Sequence, residues 1–318
     1  MNIKILVCYH KKDRLFKNDV LVPIHCGRAV AKEKHKDGQI SNEDYNWLLD
    51  NMIGDDTGDN ISNLNREVNE MTAVYWAWKN YEKLGNPDYI GLCHYRRLFN
   101  FAGKKYYKNK KEISYKSGQN QKIIQTILNQ CDFITRTPFN CDDLIIENML
   151  SFQDIIKLSE KNYPELYKSF QQMKKSRLYY CNNMFVMKRE DFFEYCKTIF
   201  PIMFDFIKIE NRGELFIKNI TKKVNKDILD KYDGGRVWIP RLTGFLMEYI
   251  TNFYLIYMMH NKKHIEIDVL NTEECKRHKK IYFIKKLFSI NRENINDVPY
   301  RTLCVLGLTI KIKRIKNA

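Results

Sequence analysis

The distribution of apolar residues along the chain predicts alternating strands and helices. Two short apolar runs, residues 3–8 and 89–93, each end in polar or basic residues, as buried strands do at the edge of a sheet. Between them, apolar side chains recur every three or four residues and predict a helix that begins near Ser62 or Asn65 and ends before Gly85. The order strand, helix, strand predicts parallel pairing and therefore an α/β sheet.

The rest of the chain contains further segments of both kinds. The polar region between the first strand and this helix is predicted to be loop, and residues 103–123 an exposed insertion. Strands are predicted at 132–135 and 178–187, and helices at 124–128, 143–158, 190–206, 241–259 and after Pro164. No internal repeat or Pro/Ser-rich linker occurs. The simplest prediction is one domain over residues 1–270, followed by a basic extension over residues 271–318.

The composition is that of an ordinary globular protein. Hydrophobic residues make up 44% and charged residues 29% of the 318 residues, which argues against long disordered stretches. The nine cysteines are scattered and never form CxxC, so neither a disulfide framework nor a zinc site is predicted and a reducing cytosol is expected. The chain begins directly with a strand pattern, and no apolar segment is long enough to span a bilayer.

The net charge of +16 is concentrated towards the C-terminus. Residues 271–318 contain twelve Lys and Arg against four Asp and Glu, so half of the excess lies in this segment. A positive field of this kind attracts nucleic acid, anionic lipid headgroups or phosphorylated substrates. Because no RRM, KH, zinc-finger or helix-turn-helix pattern occurs, a nucleic-acid-binding protein is the least favoured of these alternatives.

Six motifs follow one another along the chain. They read VPIHCG at 22–27, DDTGDN at 55–60, NREVNEMTAVYWAWKN at 65–80, YIGLCHYRRLF at 89–99, YCNNMFVMK at 180–188 and GFLME at 244–248. This ordered set resembles the motifs of a bacterial capsular and exopolysaccharide glycosyltransferase family, long catalogued as a domain of unknown function. The resemblance covers roughly residues 1–260. A missing histidine motif near residues 145–155, and Tyr249 in place of an arginine, leave the donor and acceptor preference open.

The resemblance implies a GT-A-like fold, in which a nucleotide-binding sheet is flanked by helices and the C-terminal half supplies a helical acceptor side. It implies a cytoplasmic enzyme that transfers a hexose from a UDP-sugar to a growing surface polysaccharide or a lipid-linked oligosaccharide. Galactose, in pyranose or furanose form, is the donor sugar that the resemblance favours. A catalytically inert carbohydrate- or nucleotide-binding protein on the same fold is the alternative.

The HYRR sequence takes the place of a metal-binding motif in this resemblance. Enzymes of this fold usually have an Asp-x-Asp motif here, which holds a divalent metal against the donor diphosphate, whereas this chain has His94, Tyr95, Arg96 and Arg97. Guanidinium groups match phosphate oxygens in two-point contact, and fixed cations stabilise a departing diphosphate. We therefore expect Arg96 and Arg97, with His94, to replace the metal. A solvated or carboxylate-paired surface position is the alternative.

The resemblance implies further donor-binding candidates, which lie after the first predicted strand and in the predicted loop, with a structural role as the alternative for the histidines. Asp55 and Asp56 are the best candidates for holding Mg²⁺ or Mn²⁺, because these cations prefer oxygen ligands, although the sequence does not require a metal. An acidic turn explains the same residues, and we favour a donor-binding role over metal binding. The complete set of donor-binding candidates is His10, Lys11, His25, Gly27, Asp55, Asp56, Asn60, His94 and Tyr95.

Inverting transfer needs a group that takes the proton of the acceptor hydroxyl. Glu248, in an otherwise apolar helix, and Glu70 are the candidates, and a capped or ion-paired structural carboxylate is the alternative. Asn182 and Asn183 interrupt an apolar strand and are predicted to bind sugar hydroxyls, with a bulge as the alternative. Trp76 is a candidate for stacking on the acceptor sugar, with burial in the core as the alternative.

The C-terminal extension alternates apolar runs, at 281–284 and 303–310, with basic clusters at 276–280 and 311–316. Peripheral membrane proteins combine modest apolar burial with attraction to anionic lipid in this way. The extension therefore predicts association with the inner face of the cell membrane, and a basic solvated tail is the alternative.

Overall fold

The computed structural model describes residues 1–33, 40–102, 121–141, 163–221 and 239–272, and the backbone of residues 288–295, 298–305 and 308–313. The chain divides into two compact units, Met1–Leu270 and Asn271–Ala318. The predicted helix at 143–158, the apolar run at 281–284 and most of the predicted insertion at 103–123 lie outside the described residues.

The strands of the described chain are numbered in sequence order. They are β1 Ile3–Tyr9, β2 Leu21–His25, β3 Ile53–Gly54, β4 Tyr89–His94, β5 Arg97–Phe99, β6 Phe133–Arg136, β7 Phe139–Asn140, β8 Leu178–Tyr179, β9 Phe185–Lys188, β10 His264–Ile267, β11 Val269–Asn271, β12 Phe288–Ile295, β13 Val298–Val305 and β14 Leu308–Lys313.

The α-helices of the described chain are α1 Asn42–Asn51, α2 Asn65–Val68, α3 Met71–Lys79, α4 Gln121–Leu128, α5 Pro164–Ser176, α6 Arg189–Ile207, α7 Arg212–Ile220 and α8 Leu242–Met259. Short 3₁₀ turns at Arg28–Val30, Ser62–Leu64 and Tyr81–Leu84 join some of these elements. No helix in the described part of the chain is long and apolar enough to cross a membrane.

One sheet organises the first unit. Its strand order is β10-β6-β9-β4-β1-β2-β3, with β5 paired to β4 and β11 paired to β5. Strands β1, β2, β3 and β4 pair in parallel, β9 is antiparallel to both β4 and β6, and β10 is parallel to β6. Strand β6 therefore runs in the same direction as β4, and β9 is the reversed strand between them.

Strand β1 shows that both faces of this sheet are covered. Leu6 and Cys8 belong to one apolar core, which includes residues of α3, α5, α6 and α8, whereas Ile5 and Val7 belong to a second core with residues of α1 and α4. A strand that is buried on both faces reads as a continuous apolar run. Each fully buried Leu, Ile or Val contributes roughly 1.5–3 kcal/mol. The predicted α/β class, a central sheet flanked by helices, is confirmed.

Most of the predicted secondary-structure elements are confirmed. Strands β1, β4 and β6 and helices α4, α6 and α8 begin and end within three residues of their predicted bounds. For α5 only a start near Pro164 was predicted, and the helix begins there. The apolar periodicity was a reliable guide in these segments because their buried faces are continuous.

The prediction of loop before Ser62 is wrong, because this region contains β2, β3 and α1. Helix α1 begins at a cap in which the Ser41 side chain accepts a hydrogen bond from the Asp44 backbone nitrogen at 3.1 Å. Leu48 is its one fully buried residue, so the helix lacks a wide apolar stripe. Capping residues rather than periodicity carried the signal for this helix.

The predicted helix from residue 62 to residue 80 is interrupted. Helix α2 ends before Asn69, whose φ of +53° is incompatible with a continuing helix, and α3 begins at Met71. The Asn69 carbonyl accepts hydrogen bonds from the Asn65 amide at 2.7 Å and the Thr72 hydroxyl at 3.2 Å. This break places Glu70 at the start of α3 instead of within a helix.

The predicted strand at 178–187 is also broken. Strands β8 and β9 are separated by a turn at Asn182 and Asn183, whose φ angles are +68° and +51°. Asparagine adopts this left-handed region more readily than other residues that have a side chain. The pair therefore forms a turn at the edge of the sheet instead of a bulge within a strand.

Strands β12, β13 and β14 of the second unit form a separate antiparallel sheet. One rung of this sheet pairs Ile290, Leu303 and Ile310, and the next pairs Asn291, Thr302 and Lys311. Successive residues of a strand alternate between the two faces of a sheet. The register therefore places an apolar rung and a polar rung on opposite faces.

Candidate active site

Polar residues from distant parts of the chain meet at one edge of the large sheet. Strands β1, β2, β3, β4 and β6 all end at this edge, and the antiparallel strand β9 begins there. In open α/β sheets, ligands bind outside the carboxyl ends of the parallel strands. The edge therefore defines the candidate site, and most of the residues predicted from the sequence lie along it.

Glu248 of α8 reaches this edge and is held by two donors. Its Oε2 accepts hydrogen bonds from the Asn182 backbone nitrogen at 3.1 Å and the Tyr179 hydroxyl at 3.3 Å. Burial, together with the negative charge of Glu70, raises the pKa of Glu248 to about 7. A carboxylate with such a pKa exchanges protons near neutral pH, as a general base must.

Glu70 is attached to the adjacent residue of the same turn. Its Oε1 accepts a hydrogen bond from the Asn183 side-chain amide at 2.8 Å. Both carboxylates that were predicted as catalytic candidates therefore contact the two asparagines that were predicted as acceptor-binding candidates. The structure brings these four residues together, although they come from three separate segments of the chain.

Asn182 links this carboxylate pair to two basic residues. Its carbonyl oxygen forms a hydrogen bond with His94 Nε2 at 2.8 Å, and its side-chain Oδ1 accepts one from Arg136 Nη1 at 2.7 Å. Together with the bond to Glu248, these contacts use the backbone nitrogen, the carbonyl and the side chain of one residue. They stabilise the left-handed conformation of Asn182.

The HYRR segment forms a tight hairpin between β4 and β5. Tyr95 and Arg96 make the turn, so that His94 and Arg97 lie opposite each other on the two strands. The guanidinium of Arg96 lies 5.0 Å from the centre of the Tyr95 ring. The charge of Arg97 instead acts on Glu248, whose pKa it lowers in opposition to burial.

The two arginines of the hairpin thus have different surroundings. Among the described residues, the Arg97 side chain forms no hydrogen bond or ion pair, and its charge acts on Glu248. The charge of Arg97 therefore acts on Glu248, whereas Arg96 packs on an aromatic ring, and phosphate binding by either arginine stays a prediction.

Arg136 is a site residue that the sequence analysis missed. It is the last residue of β6, is 5% exposed, and also donates hydrogen bonds to Cys181 Sγ and the Thr137 carbonyl. Burial and the nearby charge of Arg97 both lower its pKa. The rule that singled out His94, a polar residue at the end of a strand, applies equally to Arg136.

A second group of candidates lies around the turn after β2. Gly27 has a φ of +70°, and a side chain at this position would overlap with Asn65. His25 is almost completely buried, and its Nδ1 accepts a hydrogen bond from Arg28 Nε at 3.4 Å. Burial and the Arg28 charge lower the pKa of His25 to about 3, so its imidazole is neutral.

Asp55 lies beneath this turn and is completely buried. Its carboxylate accepts hydrogen bonds from the backbone nitrogens of Gly27 at 2.7 Å and Arg28 at 3.1 Å, and from the Ser62 hydroxyl at 2.5 Å. Burial raises its pKa, while these donors and Thr72 lower it. The carboxylate oxygens of Asp55 already accept hydrogen bonds from the protein. Any effect of Asp55 on binding of the nucleotide sugar is therefore indirect, because Asp55 holds the turn at Gly27 and Arg28 in place.

The remaining donor-binding candidates lie around this turn and the end of β1. His10 and Lys11 are exposed immediately after β1, and the His10 ring packs edge-on against Tyr95 at 5.5 Å. Asn60 bonds within its own loop, to Gly58 and Ser62. The Asp56 side chain packs against Gly54, so that a side chain at position 54 would overlap with it.

Two further predictions are decided by burial and bonding. Trp76 is 2% exposed and its indole nitrogen donates a hydrogen bond to the Thr57 carbonyl at 2.8 Å, so the prediction that it stacks on a sugar is wrong and the core alternative is correct. Asp55 does not fit a resident Mg²⁺ or Mn²⁺, because its oxygens accept bonds from protein donors. Within the described ranges, no group of three or more His, Cys, Asp or Glu is arranged to hold a metal.

Comparison with known proteins gives two matches. A family model described as a domain of unknown function, DUF4422, matches residues 4–262. Among solved structures, the apo structure of the WbbM bifunctional glycosyltransferase is similar to this chain with a TM-score of 0.57 and 24% sequence identity, over 85% of this chain and 45% of that one. This chain therefore spans less than half of that protein. No curated protein sequence matches. The structural similarity supports the predicted glycosyltransferase-like fold.

Proposed function

We propose that this chain, which belongs to the DUF4422 family, is a glycosyltransferase that moves a hexose from a nucleotide-sugar donor to a glycan acceptor. The observation that carries the proposal is the Glu248–Asn182 contact, which places a carboxylate with a pKa of about 7 beside His94, Arg97 and Arg136. A base beside fixed cations suits a reaction in which a hydroxyl loses a proton while a diphosphate departs. The fold shared with a glycosyltransferase supports the same conclusion.

In this proposal the donor and the acceptor approach the edge of the sheet from different sides. The nucleotide lies near the turn at Gly27 and His25, with the diphosphate directed towards Arg97. Arg97 stabilises the negative charge that develops on the diphosphate as its bond to the anomeric carbon breaks. Arg136 fixes the side chain of Asn182 and adds positive charge to the same region.

The acceptor hydroxyl lies beside Glu248 and attacks the anomeric carbon. As its oxygen forms the new glycosidic bond, its proton passes to Glu248 and the electron pair of the broken bond leaves with the diphosphate. Glu70 acts on this step through Asn183 and through its charge, which raises the basicity of Glu248. Asn182 and Asn183 orient the base and the sugar hydroxyls.

We further propose UDP-galactose, in pyranose or furanose form, as the donor, and a growing surface polysaccharide or lipid-linked oligosaccharide as the acceptor. Both assignments rest on the resemblance of the sequence motifs to those of capsular and exopolysaccharide glycosyltransferases. A lipid-linked acceptor also fits the second unit, in which a net charge of +8 accompanies an apolar rung of strands β12, β13 and β14. This unit would hold the enzyme on the inner face of an anionic membrane.

A panel of nucleotide sugars tests the proposal directly. A ligand that binds only the folded protein raises its melting temperature by mass action, so we expect one nucleotide sugar to raise Tm and to be hydrolysed slowly without an acceptor. The protein is then incubated with that nucleotide sugar and octyl hexosides. Mass spectrometry should detect an octyl glycoside that is heavier by one hexose. Binding without hydrolysis or transfer would instead indicate an inert sugar-nucleotide-binding protein, and no binding by the panel would reject both.

A further inference from the structure

An exposed aromatic side chain lies beside the candidate active site. Phe139 belongs to the short ribbon formed by β7 and β8, and 51% of its surface is accessible to solvent. The Arg136 guanidinium lies 4.1 Å from the centre of its ring. Isolated exposed apolar residues are common on protein surfaces, but this ring is held by an arginine that also bonds Asn182.

The pairing of the ribbon connects Phe139 to the base by a second route. Phe139 pairs directly with Tyr179, whose hydroxyl donates a hydrogen bond to Glu248. Side chains of directly opposed residues lie on the same face of a ribbon, with Cβ atoms about 5 Å apart. The contact with Arg136 and the backbone pairing with Tyr179 therefore both connect Phe139 to residues that surround Glu248.

The strand order separates Phe139 from the turn that we assign to the nucleotide. Phe139 follows β6, whereas Gly27 follows β2, and the strands β9, β4 and β1 lie between β6 and β2. Adjacent strands are about 4.8 Å apart, so β6 and β2 are separated by roughly 19 Å along the edge. A ligand that contacts Phe139 therefore lies on the far side of Glu248 from the nucleotide.

We propose that Phe139, held by Arg136, is a stacking platform for a sugar ring of the acceptor glycan, one position beyond the residue that accepts the new sugar. The inference rests on the proposed transferase function and adds a subsite to it. One face of a pyranose ring presents C–H groups that pack on an aromatic ring, while its edge presents hydroxyls.

Saturation-transfer NMR tests the platform with the full chain in the presence of UDP. The probes are octyl glycosides that carry one hexose or two, in the gluco, galacto and manno series. We expect saturation of the pyranose C–H protons of a two-sugar probe by the wild type, and an affinity about tenfold weaker for Phe139→Ala. Phe139→Tyr keeps the ring and should restore binding, whereas one-sugar probes should be insensitive to both changes.

Leu178→Ala is the matched control, because Leu178 is 41% exposed on the partner strand but pairs with Asn140 and not with Phe139. It should bind the probes as the wild type does. Equal binding by Phe139→Ala and the wild type, or no hexoside binding by the wild type, overturns the platform. A different result would reject the transferase proposal alone. In that case the protein would neither bind nor hydrolyse any nucleotide sugar, while the Phe139-dependent hexoside signal persists.

Discussion

Glu70 and Glu248 are joined through two consecutive residues of one turn. Glu248 accepts a hydrogen bond from the backbone of Asn182, and Glu70 accepts one from the side chain of Asn183. The turn holds the carboxylates close enough for the charge of Glu70 to raise the pKa of Glu248. The protonation of Glu248 therefore depends on the charge of Glu70.

Replacement of Glu248 tests its role as the base. Glu248→Gln keeps an acceptor oxygen for Asn182 but cannot take a proton, so we expect kcat to fall roughly 100- to 10,000-fold. Because the base must be ionised and the pKa of Glu248 is about 7, wild-type kcat should rise with pH through neutrality. Transfer assays from pH 5 to pH 9 check both points. A wild-type rate that is independent of pH across this range would contradict the assignment.

Replacement of Glu70 should change the pH dependence more than the maximal rate. Glu70→Gln removes the negative charge that raises the pKa of Glu248 while its side-chain oxygen can still accept from Asn183. The pKa of Glu248 should then fall, and the rise of kcat should move to lower pH. The control is Glu67→Gln, since Glu67 lies in α2 and bonds Arg212 and Thr243 instead. An unchanged pH profile in Glu70→Gln would show that the two carboxylates act independently.

The two arginines of the HYRR hairpin should differ in their effects. Arg97→Gln is expected to lower kcat by roughly 100- to 1,000-fold, because it removes a charge that stabilises the departing diphosphate. Arg96→Gln is the matched control and should have a much smaller effect, since Arg96 packs on the Tyr95 ring. Rates with and without excess EDTA complete the experiment.

If guanidinium groups replace a metal, EDTA should leave the wild-type rate unchanged. Loss of activity in EDTA that Mn²⁺ restores would show instead that a divalent cation holds the diphosphate. Equal losses in Arg96→Gln and Arg97→Gln would show that the hairpin acts as a whole.

Asp55 should matter more for stability than its exposed neighbour Asp59. Asp55→Ala leaves the buried backbone nitrogens of Gly27 and Arg28 without their acceptor, so the free energy of unfolding should fall by about 3 kcal/mol or more. Asp59→Ala, which removes surface contacts with Tyr75 and Lys79, should cost less than about 1 kcal/mol. Urea denaturation measures both, and similar losses in the two variants would contradict the structural role of Asp55.

Two substitutions in the second unit test whether its apolar face contacts lipid, because they add the same charge on different faces of the sheet. Leu303→Asp and Thr302→Asp each add one negative charge, but their rungs lie on opposite faces of the sheet. If the apolar face contacts lipid, Leu303→Asp should bind vesicles of phosphatidylcholine and phosphatidylglycerol roughly tenfold more weakly than Thr302→Asp. Sedimentation of the full chain with such vesicles measures the difference. Equal binding by the two variants would favour the basic solvated tail.

Local patterns in the sequence determined much of the architecture. Strands β1 and β4 and helices α6 and α8 have continuous buried faces, and such faces leave a regular apolar spacing that can be read without a structure. Helix α1 was missed because it buries one leucine, so its spacing carries little signal. The rule that polar residues collect where strands end also located His94 and Arg97 before any contact was known.

The tertiary structure alone decided which of the candidates meet. Glu70 enters the site because a positive φ at Asn69 breaks a helix whose apolar spacing is continuous, and spacing does not record such a break. Asn182 contacts His94, Arg136 and Glu248 because β9 runs antiparallel to its neighbours and begins where β4 and β6 end. Hydrogen bonds between segments far apart in the chain depend on strand order and direction, which residue spacing within one segment does not encode.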